Sequence, residues 1–94
     1  MNEMKKSVRA IISGEVQGVG YRYTVYHIAQ KFKLVGFVRN LGSGEVEVHA
    51  EGEEGELEKF LKAIEISDGW IRVGKITVSW GKGKSGYKDF SIIR

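Results

Sequence analysis

The stretch that decides the fold is Gly14–Ile28, GEVQGVGYRYTVYHI. Just upstream, Ser7–Ser13 (SVRAIIS) alternates, with Val8, Ala10 and Ile12 on one face, which predicts a half-buried strand. Tyr21, Val25, Ile28, Ala29 and Phe32 then recur at helical spacing and make one apolar stripe. They predict a helix from about Arg22 to Lys33, with Lys31 and Lys33 in its last turn, where cations suit the helix dipole. Between strand and helix stand Gly14, Gly18 and Gly20, followed by a lone Arg22. The question is what a strand–glycine loop–helix junction with one fixed positive charge is for.

The rest of the chain supplies the frame. LVGFVRN (Leu34–Asn40) is apolar and β-branched, a second strand, and LGSG (Leu41–Gly44) is a glycine-bearing turn. EVEVHAE (Glu45–Glu51) alternates, with Val46, Val48 and Ala50 inward and Glu45, Glu47, His49 and Glu51 outward toward solvent, so strands two and three form a hairpin. EGEEGELEKFLKAIE (Glu51–Glu65) opens with acidic residues, as a helix N-terminus favours, and carries Leu57, Phe60, Leu61 and Ile64 as its buried stripe. KITVSW (Lys75–Trp80) is a fourth strand with Ile76, Val78 and Trp80 on one face. GKGKSG (81–86) is a basic loop, and YKDFSII (Tyr87–Ile93) closes the chain with Phe90 and Ile92 inward. The order is βαββαβ with one further strand from splitting the end. It predicts an α+β fold, a ferredoxin-like α/β sandwich: an antiparallel sheet covered on one face by two helices, because right-handed crossovers place both helices on the same side.

Bulk properties narrow the function without choosing it. Ninety-four residues make one domain, 1–94, and 41% hydrophobic residues are enough for one compact core. No apolar run is long enough to span a bilayer and no apolar signal segment follows Met1, so the chain is read as soluble, unprocessed and cytoplasmic, with no membrane partner. The absence of cysteine excludes disulfides, thiolate nucleophiles and cysteine-ligated metal. Two histidines, His27 and His49, argue against a histidine-rich metal centre. A net charge of +3 favours anionic ligands of any size, from a phosphate ester to a nucleic acid.

At the junction itself, backbone N–H groups of a glycine loop lie beside a helix N-terminus, where they lack intrahelical partners and carry partial positive charge. A loop that curls there makes an anion cradle. Arg22 adds a planar, permanently charged fork that matches a phosphate or carboxylate. Glu15 would repel such a ligand, so its side chain is expected to point to solvent. The nucleotide-binding patterns fail, because no Gly-Lys-Ser/Thr follows and Gly18 and Gly20 lack a third glycine three residues on. The plainer alternative is a glycine-rich connection with a solvated arginine. Asn40, at the end of strand two, is equally double: either a turn residue that bonds its own backbone, or a polar group brought near the start of helix one.

Two segments together resemble the acylphosphatases: GEVQGVGYR at 14–22 and GFVRNLGSGEVEVHAEG at 36–52, with YKDFSI at 87–92 similar to that family's closing strand. The resemblance implies a ferredoxin-like sandwich and hydrolysis of the carboxyl–phosphate bond of small acylphosphates, releasing inorganic phosphate, without metal or cofactor and as a monomer. Position by position, Arg22 matches the family's catalytic arginine and Asn40 its catalytic asparagine. Val16, Gln17, Gly18, Val19, Gly20 and Tyr21 match its backbone phosphate-binding loop. Tyr21 stands where phenylalanine is usual, and SDGWIRVG (67–74) replaces a proline-containing segment.

The remaining chemistry-bearing residues weigh less. His27 lies off the helix stripe, on the surface side; Tyr23 and Tyr26 either shape a pocket edge or pack; Trp70 and Trp80 read as packing or interface residues. One rival is a non-catalytic ferredoxin-like module that binds RNA through exposed sheet aromatics. Against it stand the missing aromatic signature and the acidic outward positions between Glu45 and Glu54, so no nucleic-acid partner is expected. The other rival is the same fold used as a regulatory or protein-binding domain.

Overall fold

In a computed structural model that describes residues 5–83 and 86–93, the chain forms β1 (Lys5–Glu15), α1 (Tyr21–Lys31), β2 (Val35–Asn40), β3 (Val46–Glu53) and α2 (Glu54–Ala63), then β4 (Ser67–Asp68), β5 (Ile71–Lys82) and β6 (Phe90–Ile93). Residues 84 and 85 of the basic loop, and the residues around Met1, lie outside the described residues. The strands make one sheet in the order β4-β5-β1-β3-β2-β6. Its centre, β5-β1-β3-β2, is antiparallel throughout and is the ferredoxin-like core expected from the sequence.

The alternation read from the sequence sets the register. Val8, Ala10 and Ile12 of β1 stand opposite Ala50, Val48 and Val46 of β3, and all six are buried. Helix α1 packs on β2 and β6, α2 packs on β1 and β3, and the two helices touch, so both cover the same face. Tyr21, Val25 and Ala29 of α1 and Leu57 and Phe60 of α2 are sealed against that face, with Ile64 just after α2. A side chain of this size is worth about 1.5–3 kcal/mol when fully buried.

Four expectations need correction. The sheet is mixed rather than antiparallel, because β6 pairs in parallel with β2 at the far edge. After β5 the chain crosses the sheet and returns in the direction of β2, which no local pattern records. Helix α1 starts one residue earlier and ends two residues earlier than the spacing suggests, and Lys33 lies beyond it with φ 57, in the left-handed region. Phe90 is buried, but Ile92 on the same strand is 36% exposed. Trp80 is 46% exposed and Ile76 and Val78 are only partly buried, because α2 lies over β1 and β3 and leaves that side of β5 open.

The sheet's outer face departs furthest from expectation. Glu47 and Glu51 point outward but are buried, and His49 is half-buried rather than solvent-exposed. The cross-strand pairs explain this. Arg9 of β1 and Arg39 of β2 flank Glu47, each donating an Nε–H bond of 2.6 Å to a different carboxylate oxygen. Beside them the His49 ring stacks on Phe37, meets Tyr87 and lies 3.0 Å from the Glu51 carboxylate. The middle of β3 is therefore a neutralised ion network and not an acidic surface.

Burial alone would raise the Glu47 pKa, but the hydrogen bonds and charges of Arg9 and Arg39 outweigh it and hold the carboxyl below its usual range. A depressed carboxylate contributes stability above its unfolded pKa and loses it as pH falls through the folded value. Both arginines are about half-exposed, so screening keeps the network's contribution small. Glu47→Gln is expected to cost about 1 kcal/mol in denaturant unfolding at about pH 7. The gap from the parent chain should shrink as pH falls below the ordinary carboxylate range and through the lowered folded value, and a gap that stays constant across the acid range would contradict the ion-network account.

Candidate active site

The quoted stretch starts inside β1. Gly14 sits at a bulge where the β1–β5 register shifts, and Glu15 ends the strand with its residue exposed, as expected for a carboxylate kept away from an anion site. Residues 16–20 then turn into α1. Gly18 has φ 75 and Gly20 φ 84, both in the left-handed region that other residues rarely adopt, and a Cβ at either would meet open space. The constraint at these two positions is thus backbone conformation and not crowding by protein.

Gly20 is the residue before the helix, and it offers no side chain to cap the first turn. No acidic side chain lies in that turn either. Among the described residues, the N–H groups of Gln17, Gly18, Val19 and Gly20 donate to no other backbone group outside regular structure. The result is a row of donors at the positive end of a helix dipole, which is the backbone requirement for holding an anion.

A cleft of about 230 Å³ opens at this point, walled by Val16, Gly18, Gly20, Tyr21, Arg22, Tyr23 and Ile92. Four of the expected loop residues and Arg22 thus share one cleft. Gln17, Val19 and Asn40 stand outside its wall; Val19 instead packs on the hydrophobic core. Tyr23, which the sequence offers either as a pocket edge or as packing, lines it, and Ile92 enters it without having been assigned to it from the sequence. The apolar run of the closing strand signals Ile92, but reads as core.

The elements around the cleft are tied to the strands and turn on either side of Asn40. The Gln17 side chain reaches across and donates two 2.8 Å bonds from Nε2, to the carbonyls of Leu41 and Glu45 in the β2–β3 turn. On the other side, Arg22 Nη1 donates to the Ile93 carbonyl at 3.4 Å, and Ile93 pairs with Arg39 in the β2–β6 ladder. Asn40 lies between Arg39 and Leu41, so the loop is fastened to the residue after it, and the helix to Ile93, the ladder partner of the residue before it. Its Oδ1 is buried and has no hydrogen-bond partner among the described residues. Such an acceptor is costly, on the order of 1–3 kcal/mol, and a turn residue bonded to its own backbone would not leave it so.

Tyr21 is explained by packing. It is buried, and its hydroxyl donates a 2.8 Å bond to the carbonyl of Ile64, the C-cap residue of α2, where carbonyls have no partner inside the helix. Burial, with Glu65 nearby, pushes the phenol pKa well above its ordinary value, so it stays a neutral donor. The departure from phenylalanine therefore fastens the start of α1 to the end of α2. His27 is exposed, in edge contact with Tyr23 and Tyr26. Among the described residues, no group of three or more histidine, aspartate or glutamate side chains is placed to hold a metal ion. Among those residues, too, no helix is long and apolar enough to cross a membrane.

The sandwich, with its uncapped glycine loop and Arg22 at one cleft, is a ferredoxin-like domain. A family model described as acylphosphatase matches residues 8–92. An acylphosphatase of Caldanaerobacter subterraneus subsp. tengcongensis is 43% identical over 89 residues, covering 95% of this chain and 99% of the relative. One of Pseudothermotoga lettingae is 54% identical over 82 residues, covering 87% and 91%. The crystal structure of acylphosphatase from Bacillus subtilis superposes with a TM-score of 0.90 at 39% identity, covering 95% of this chain and 99% of that one. The chain belongs to the acylphosphatase family, and family and fold together support an enzyme that hydrolyses acylphosphates.

Proposed function

We propose that Arg22, Asn40 and the loop Val16–Tyr21 carry out the hydrolysis of the carboxyl–phosphate bond. The observation that supports this most is the sharing of one cleft by Arg22 and the uncapped, left-handed glycines Gly18 and Gly20. The substrate is a mixed anhydride whose carboxylate leaves readily, so no strong general acid is required. What has to be overcome is repulsion between an anionic phosphoryl group and an incoming water. The loop N–H groups and the Arg22 guanidinium neutralise the equatorial phosphoryl oxygens as the transition state forms.

Asn40 positions the water through its amide, which can donate and accept at once. The water oxygen bonds to phosphorus as the phosphorus–acyl oxygen bond breaks, and that electron pair leaves with the carboxylate. Asparagine is no base near neutral pH, so the water's proton passes to a phosphate oxygen, giving carboxylate and dihydrogen phosphate. The reading uses a single domain, 1–94, acting as a cytoplasmic monomer. It needs no metal, cofactor, nucleic acid or membrane.

The test is phosphate release from acetyl phosphate by the purified chain, with and without a strong chelator. Turnover at the same rate in both conditions is expected. Release no faster than the protein-free blank would sink the reading in favour of a binding or regulatory domain.

A further inference from the structure

The cleft wall carries two chemically different sets of residues. One is the glycine loop with Arg22, built for an anion. The other is Tyr23 and Ile92, two of the few large hydrophobic side chains left on the surface, at 63% and 36% exposure. Neither exposure follows from the elements that carry them. Ile92 lies two residues from the buried Phe90 on one strand, so it points to the helix-covered face, yet it is uncovered where the cleft opens. Tyr23 is held in place as well as exposed: its ring lies 6.4 Å from that of Tyr26, stacked, and 4.7 Å from that of His27, edge-on. These are the i,i+3 and i,i+4 neighbours on α1, which fix the ring beside the cleft at little entropic cost on binding.

An acylphosphate is divided in the same way, with a phosphoryl anion at one end and an acyl group at the other. With the phosphoryl group on the loop, the acyl group extends along the remaining wall of the same cleft. We infer that Tyr23 and Ile92 form an acyl-group subsite that selects acylphosphates with an aromatic or bulky apolar acyl group over those with a short one. This inference rests on the proposed hydrolysis. An aromatic ring packed against Tyr23 is worth about 0.5–1.5 kcal/mol beyond its buried area, which corresponds to about 2- to 13-fold in kcat/KM.

The experiment measures kcat/KM for benzoyl phosphate and for acetyl phosphate with the full chain, Tyr23→Ala, Tyr23→Phe and Ile92→Ser, with circular dichroism to check folding. The parent chain should favour benzoyl phosphate. In Tyr23→Ala the benzoyl-to-acetyl ratio should fall about 2- to 13-fold, mainly through KM, while Tyr23→Phe keeps the ratio. Ile92→Ser should lower it in the same direction. The inhibition constant for inorganic phosphate should be the same in all four proteins, because phosphate uses only the loop side. A ratio that is unchanged, or both substrates falling equally with loss of phosphate inhibition, overturns the subsite and leaves the hydrolysis reading standing. If the parent chain turns over neither substrate, both readings fall together.

Discussion

Arg22→Ala is expected to lower turnover of acetyl phosphate by about 10³- to 10⁵-fold, the range seen when an arginine that stabilises phosphoryl transfer is removed. The size follows from what else is present. The loop N–H groups supply partial charges, roughly half an elementary charge for a helix N-terminus. Among the described residues, Arg22 is the only one in the cleft wall with a full positive charge. Inhibition by inorganic phosphate should weaken as well, since product and transition state share those oxygens. Folding should be nearly unaffected, because the one hydrogen bond that the Arg22 side chain makes among the described residues, to Ile93, is long at 3.4 Å and part-buried. Arg22→Lys separates charge from geometry: it keeps the charge but loses the planar fork, so it should recover only a small part of the rate. Normal turnover in Arg22→Ala would remove the arginine from the mechanism. A large loss of stability would instead reassign it to structure.

The parts of the molecule that sequence patterning exposed are those in which one segment decides its own environment. The two-residue alternation of Val8, Ala10 and Ile12, and of Val46, Val48 and Ala50, set which face of β1 and β3 is buried. The stripes of α1 and α2 did the same for the helices. Alternation names a face, however, and not what covers it. Glu47 and His49 do point outward, but Arg9, Arg39, Phe37 and Tyr87 come from three other segments to cover them. Ile92 fails in the opposite sense: its face is inward, yet it stays 36% exposed where the cleft opens. The parallel pairing of β6 with β2 joins segments about fifty residues apart and has no local signature.

The site was legible to the same extent. The loop, with its positive-φ glycines, is a local object, and Gly18 and Gly20 adopt the left-handed conformation that glycine best tolerates. The means by which Asn40 is brought to it is not local. Gln17 appeared only as one backbone member of the loop, whereas its side chain is the clamp to Leu41 and Glu45. A polar, flexible side chain between loop residues gives no hint of a partner 24 and 28 positions away.

Asn40→Ala should separate function from stability. Turnover is expected to fall about 10²- to 10³-fold, comparable to losing one well-placed polar group in an active site. Inorganic phosphate should inhibit as before, because the loop and Arg22 are intact. The stability change is the more discriminating measurement. A residue that serves the fold by bonding its own turn would lose about 1 kcal/mol on truncation to alanine. Here Oδ1 is buried without a hydrogen-bond partner among the described residues, so truncation removes a desolvated acceptor rather than a bond. The turn after Asn40 keeps its own fastenings, the Leu41 N–H to the Glu45 carbonyl at 2.8 Å and the two bonds from Gln17. Asn40→Ala is therefore expected to unfold at the same denaturant midpoint as the parent chain or at a higher one. A polar group kept at a cost to stability is what a positioning role in catalysis implies. A lower midpoint together with weakened phosphate inhibition would make Asn40 a structural residue of the hairpin, and the water would then have to be positioned by another group near the cleft.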